Sequence, residues 1–376
     1  MNKEREKTRE TRRWVIKIGS TLITDNGCGL KHNLLDNWVN QISTLNDHGI
    51  EIVIVSSGAV AEGLTRLGWD KRPNVVHKLQ AAAAVGQMGL IQAYEVCFQK
   101  YNKRTAQVLL THDDITNRTR YLNARTSLNT LLQLGVIPIV NENDTVATDE
   151  IRFGDNDTLA GLVANLIDAE LLVLLTDQKG LYTSDPRKNK SARFIEQAEV
   201  SDESLKKYAG DSSNHGCGGM RTKLKAASIA AKSDTQTIIA SGNEKSILLK
   251  IADGDLIGTL LTTPKQTLRA RKQWLANQSH LKGTITLDSG AVTALIKNGK
   301  SLLPIGVKSI TGEFKRGEII SCVDQDGKEI ARGLSNYNSV QAALIIGKSS
   351  KEIQELLDCA EVDEIIHRDN MIMIQS

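Results

Sequence analysis

Lys17 lies within Val15-Ile16-Lys17-Ile18-Gly19-Ser20, a cation among strand-forming apolar residues just ahead of a glycine turn. At the carboxyl end of a buried strand its ammonium can meet phosphate oxygens as a point charge. Gly19 then lets a phosphate approach the backbone. A lysine on an edge strand is the other reading of this segment. Ser56-Ser57-Gly58-Ala59-Val60 runs from a strand into a glycine turn, and its N–H groups and hydroxyls can hold an anion. Asn141-Glu142-Asn143-Asp144 puts consecutive hydrogen-bonding side chains where a strand usually passes into a short turn. Gly154-Asp155-Asn156-Asp157 opens a helix. An N-cap accounts for one of its polar side chains; the rest are available to a ligand or to orient lysines. Gly216-Cys217-Gly218-Gly219-Met220-Arg221-Thr222-Lys223 sets clustered glycines before a basic helix, a phosphate cradle without the Walker spacing. Lys223, one turn into that helix, can return to the anion, whereas Arg221 either joins it or is solvated. Thr176-Asp177-Gln178-Lys179-Gly180 ends a further strand and can line a nucleotide base or a metal.

These segments need a scaffold that brings them to one edge. From Trp14 to about Leu261, short apolar runs alternate with helix-length segments. The runs start at Trp14, Glu51, Ala106, Val136, Glu170 and Gln236, and are nearly continuous in apolar residues. That pattern marks strands buried on both faces of a parallel sheet. Helices are expected near 34–46, 77–101, 120–134, 158–167 and 220–232. The βαβα rhythm gives an α/β fold, a three-layer αβα sandwich with a mainly parallel sheet and right-handed crossovers. Ligands of such sheets bind beyond the carboxyl ends of the strands, where most of the polar and glycine clusters fall.

The pattern changes after Leu261. Residues 264–280 are basic and read as a linker, so the first domain spans 14–263. Residues 281–376 carry short strands and turn signals, with Asp326-Gly327 as a hairpin turn; they read as a small β-rich domain. Residues 1–13 hold mixed charges and no apolar stretch, and read as a flexible solvated tail. The formal charge of +3 is too small to argue for nucleic acid by itself. The C-terminal domain has 11 Lys+Arg against 13 Asp+Glu, a balance of −2, so RNA binding there lacks a basic footprint. The scattered cysteines Cys28, Cys97, Cys217, Cys322 and Cys359 show no CxxC and read as reduced thiols. No apolar run reaches the roughly 18 residues that span a bilayer. Together these features predict a cytoplasmic protein without membrane attachment. Gly347-Lys348-Ser349 fails as a P-loop because Ala342 stands where its first glycine belongs.

The segments VIKIGS, SSGAVAEG, YLNARTSLN, VNENDTVAT, GDND, LLTDQKGLYTSDPR and GGMRTK together resemble the amino-acid kinase superfamily. The likeness is to the branch acting on the side-chain carboxylate of L-glutamate at the start of proline biosynthesis. It runs from about Trp14 to the C-terminal tail, whose β-rich domain resembles a PUA domain. The resemblance implies phosphorylation of L-glutamate by ATP with Mg²⁺, with no metal ligands assigned. It implies that Lys17 and Lys223 contact the phosphates while Asp157 orients both lysines. Ser57, Gly58, Asp144 and Asn156 match substrate-binding positions. Gly19, Thr176, Asp177 and the segment Cys217, Gly218, Gly219, Met220, Arg221, Thr222 and Lys223 match the ATP side. Cys217 replaces the small hydroxyl residue the family would place there, which leaves backbone contacts intact and removes the hydroxyl. The family also implies feedback by L-proline, a homo-oligomer (dimer or tetramer) and hand-off to a glutamyl phosphate reductase. Aspartate, acetylglutamate, carbamate or nucleoside monophosphate kinases are the rivals within the superfamily. An RNA-binding protein built on the PUA-like region is the rival outside it.

Overall fold

Each of the apolar runs forms a strand of one sheet in the computed structural model of the chain. The structure describes residues 3–25, 28–146, 156–208, 219–264, 281–349, 352–353 and 363–374. It divides into two units, Met1–Thr267 and Leu268–Ser376.

The sheet of the first unit contains β1 (Arg13–Ile18), β2 (Glu51–Ser56), β3 (Arg104–Leu110), β4 (Val136–Glu142), β5 (Leu171–Thr176), β6 (Gln197–Glu199), β7 (Gln236–Ser241) and β8 (Thr259–Thr262). Their spatial order is β3-β4-β2-β1-β5-β7-β8-β6. Neighbours from β3 to β7 pair in parallel; β8 runs antiparallel to β7 and parallel to β6. The helices that matter here are α1 (His32–Asp47), α2 (Ala59–Arg66), α3 (Val76–Gln99), α4 (Arg118–Gln133), α5 (Asn156–Leu166) and α6 (Met220–Ala230).

Side chains alternate across a strand, and here both sets are buried. Trp14, Ile16 and Ile18 of β1 enter a core with Trp38 of α1 and Leu90, Tyr94 and Phe98 of α3. Val15 enters a second core with Leu128 of α4, Leu159 and Val163 of α5 and Ala227 of α6. The result is helix–sheet–helix layering. Lys17 shares the face of Val15, so it emerges on the side of the sheet covered by α5 and α6.

One expectation fails. Residues 3–10 are helical turns docked on the first unit, where a solvated tail was anticipated. Arg5 is only 2% exposed. Its guanidinium donates to the carbonyls of Ile257 at 2.6 Å, Gly258 at 2.7 Å, Glu196 at 3.1 Å and Asp255 at 3.4 Å. Thr8 and Arg9 add bonds to the carbonyls of Ile251 and Asp253. Charge composition marked the segment as polar, but these carbonyls are more than 180 residues away in sequence. Local patterning cannot reveal such partners.

The second unit has its own five-stranded sheet: β9 (Gly283–Leu287), β10 (Val307–Thr311), β11 (Ile319–Val323), β12 (Glu329–Leu334) and β13 (Met371–Met373). The order is β10-β9-β11-β12-β13. β11 and β12 form the hairpin expected at Asp326-Gly327, with Gly327 at φ +82°. Cys97 and Cys322 are free thiols, and burial pushes the Cys322 thiol up to about 12. Of the anticipated linker, residues 264–280, all but Pro264 lies outside the described residues. Among the described residues no helix is long and apolar enough to cross a membrane.

Candidate active site

Three side chains from three separated segments meet at the carboxyl edge of the sheet. Lys17 Nζ lies 2.5 Å from Asp157 Oδ1, and Lys223 Nζ lies 3.0 Å from Asp157 Oδ2. Asp157 is completely buried; Lys17 and Lys223 are 5% and 6% exposed. Each position follows from its element. Lys17 is the penultimate residue of β1, Asp157 lies in the first turn of α5, and Lys223 in the first turn of α6. Close approach of α5 and α6 is made possible by Gly161, where a Cβ would come within 2.6 Å of the Ala226 carbonyl oxygen. Thr222 Oγ1 stands 2.7 Å from Asp157 Oδ2 and 2.8 Å from the Gly219 carbonyl oxygen, so two acceptors share its one hydrogen.

The electrostatics of Asp157 are a contest. Burial is the largest influence and by itself raises the carboxyl pKa. The nearby Lys17 and Lys223 ammonium groups, with hydrogen bonds from Lys17 and Thr222, more than reverse it. The carboxyl is held well below the usual carboxylate range and stays ionised.

Beside this triad lies a row of amides. Asn156 Nδ2 donates to the Ser56 carbonyl at 2.5 Å, Asn141 Oδ1 at 2.7 Å and Ser57 Oγ at 3.2 Å. Asn141 Nδ2 in turn donates to Gln87 Oε1 at 2.7 Å. Ser56 Oγ and Tyr94 Oη are 3.0 Å apart. Gly58 adopts φ +106°, a left-handed conformation that favours glycine, and turns the chain from β2 into α2 directly after Ser57. Ser57 and Asn156 are neighbours. Asp144 sits half-buried in the turn after β4.

The remaining anticipated residues are spread differently. At Gly19 a Cβ would lie 3.5 Å from the Leu175 carbonyl oxygen and 3.8 Å from Lys17 Nζ, so that glycine borders the triad. Thr176 is buried at the end of β5 and donates to the carboxylate of the exposed Asp177 at 3.0 Å. Gly219 precedes α6, Met220 packs half-buried against the second core, and Arg221 faces outward and is exposed. Cys217 and Gly218 lie outside the described residues.

The family model described as "Amino acid kinase family" matches residues 12–241. The chain belongs to the amino acid kinase family. A PUA domain model matches residues 283–357. Among curated proteins, "Glutamate 5-kinase" of Nitrosospira multiformis is 55% identical over 97% of this chain and 99% of its own length. "Glutamate 5-kinase" of Thioalkalivibrio sulfidiphilus is 55% identical over the full length of both. Among solved structures, the UMP kinase of Bacillus anthracis matches with a TM-score of 0.47 and 18% identity, over 67% of this chain and 96% of that one.

Sequence reading of this amino acid kinase missed Gln87, Tyr94 and the individual place of Asn141. Gln87 left a faint mark, as a polar residue between Gly86 and Gly89 in an otherwise apolar stretch of α3. Nothing local to Tyr94 signals its hydroxyl contact with Ser56.

Proposed function

We propose that this amino acid kinase transfers the γ-phosphoryl group of ATP to the side-chain carboxylate of L-glutamate. The product is L-glutamyl 5-phosphate, and the step opens proline biosynthesis. The observation that carries the reading is the buried Lys17–Asp157–Lys223 triad beside the Ser57–Asn156 pair.

A glutamate side-chain carboxyl ordinarily titrates at about 4.3, so the attacking group is already ionised at neutral pH and no general base is required. The obstacle is repulsion between a carboxylate and a triphosphate. Phosphoryl transfer is catalysed mainly by positioning and by stabilising charge on the transferring group. Lys17 and Lys223 would meet the β- and γ-phosphate oxygens, with Asp157 holding their ammonium groups at a fixed separation. A carboxylate oxygen of L-glutamate forms a bond to the γ-phosphorus as the bond to the bridging oxygen of ADP breaks; no proton moves. Ser57 and the amides around Gly58 would receive a carboxylate, while Asp144 and Asn156 would receive the α-amino end. Thr176, Asp177, Gly19 and the segment Cys217, Gly218, Gly219, Met220, Arg221, Thr222 and Lys223 would form the nucleotide side.

Mg²⁺ would accompany ATP and neutralise phosphate oxygens. Among the described residues no group of three or more His, Cys, Asp or Glu side chains converges. Mg²⁺ in such sites usually keeps several waters and is held by substrate phosphates with one or two carboxylates. L-Proline, which carries an ammonium and a carboxylate, is proposed to inhibit at or near the glutamate site. A cytoplasmic homo-oligomer, dimer or tetramer, that passes its labile acyl phosphate to a glutamyl phosphate reductase completes the reading.

The test is a hydroxylamine trap. With ATP and Mg²⁺, L-glutamate should give the hydroxamate while aspartate and UMP give none. Hydroxamate from aspartate at a comparable rate would reassign the substrate.

A further inference from the structure

α3 carries no charge between Lys78 and Glu95. A helix apolar on most sides belongs in an interior, and two sides of this one are covered. Leu90, Tyr94 and Phe98 enter the core on the sheet. At Gly86 a Cβ would come within 1.8 Å of the Ala59 carbonyl oxygen of α2. A third side is bare. Lys78, Ala81, Val85, Met88, Gln92 and Glu95 are all exposed, Met88 by 75%. Their spacing alternates three and four residues, the pattern of a helix that packs lengthwise on another. Val75 and Val96 are exposed beside the two ends. Among the described residues neither Lys78 nor Glu95 forms an ion pair; Glu95 accepts from Gln99 of its own helix at 3.4 Å.

This stripe is complementary to its own reverse. Counted inward from the ends, Lys78 answers Glu95, Ala81 answers Gln92 and Val85 answers Met88. We infer that the face is a seam against the same helix of a second copy of the chain, antiparallel about a twofold axis between Val85 and Met88. A twofold contact offers one patch to itself. Here it sets each Lys78 against the partner's Glu95 and covers Val85 and Met88 at the centre, where a flexible thioether adapts to the facing side chains. A parallel pair would leave lysine facing lysine and glutamate facing glutamate. The inference rests on the proposed reading of the chain as a homo-oligomer and is independent of its substrate.

The experiment is analytical ultracentrifugation of the full chain. The wild type should sediment as a dimer or a larger even assembly at tens of micromolar, and a monomer there overturns the inference. Hydroxamate formation from L-glutamate is measured on the same sample; its absence would dismiss the substrate reading and leave the seam untouched. Met88→Glu puts charge at the centre of the seam and should reduce the assembly to half its mass or less. An unchanged mass refutes the face. Glu95→Lys meets the partner's Lys78 and should raise the dissociation constant of the contact about tenfold. Adding Lys78→Glu restores opposite charges and should return the constant to within about threefold of the wild type. An E95K protein that associates like the wild type, or a double variant as weak as E95K alone, overturns the antiparallel seam. The two charge variants lie on the surface, so they decide the matter even where M88E fails to fold.

Discussion

Asp157 is held in the interior by its two lysines, and the lysines are held apart by Asp157. Removing one partner of such a cluster leaves an uncompensated buried charge, which typically costs about 3–5 kcal/mol. Asp157→Asn should lower stability by that order at neutral pH. Its pH dependence has a definite sign. The folded carboxyl lies below its unfolded value, so its contribution is full above about pH 4 and fades as pH falls below that. The stability gap between wild type and D157N, measured by urea denaturation, should be widest near pH 7 and narrow below pH 4. A gap that stays constant from pH 7 to pH 3 would show that ionised Asp157 adds nothing. Lys223→Ala removes a positioned cation, and the loss of one such group commonly costs ~3–4 kcal/mol in the barrier. Turnover should fall about 10²–10³-fold with little change in glutamate KM. Wild-type turnover in this variant would take Lys223 out of the chemistry. Asp144→Ala should instead raise glutamate KM with a smaller effect on kcat; an unaltered KM in steady-state kinetics would dismiss Asp144 as a substrate contact.

The elements place these residues through backbone proximity as much as through side chains. At Gly161 the helices α5 and α6 touch so closely that no side chain fits. Gly161→Val should force them apart, lengthen the Asp157–Lys223 contact and cut turnover at least tenfold, since small misplacements at a reacting centre are amplified. A G161V protein with native kinetics would refute that coupling. The strands were legible because burial on both faces writes a continuous apolar run, and β1, β2 and β4 begin within a residue of the runs that marked them. Lys17 was legible as the polar exception inside such a run. Asp157 and Lys223 were legible as members of turns that open helices. Their mutual contact at 3.0 Å spans 66 residues and depends on the helix crossing, which no local pattern encodes. Gln87 escaped notice for a related reason: a single polar residue on a largely apolar helix looks alike whether it faces water or an asparagine.

At the scale of the first unit, Arg5 ties the N-terminal turns to the loop that leads into β8 and to the residue before β6. Arg5→Ala would remove its hydrogen bonds to those carbonyls, of which that of Glu196 keeps one from the Leu260 N–H, and should cost ~3 kcal/mol, or about 6–12 °C in the melting of a unit this size. Scanning calorimetry of the full chain measures it, and an unshifted transition would mean the docked segment contributes nothing. The same contact constrains how the protein is made. Arg5 leaves the ribosome 252 positions ahead of the carbonyl of Ile257. At about 5–20 residues per second, that is a wait of roughly 13–50 s. Throughout it the leading segment has no dock, and the sheet edge formed by β6 and β8 does not yet exist. A nascent chain stalled before residue 255 should therefore be cut by protease within residues 3–10, whereas a chain released at full length is protected there.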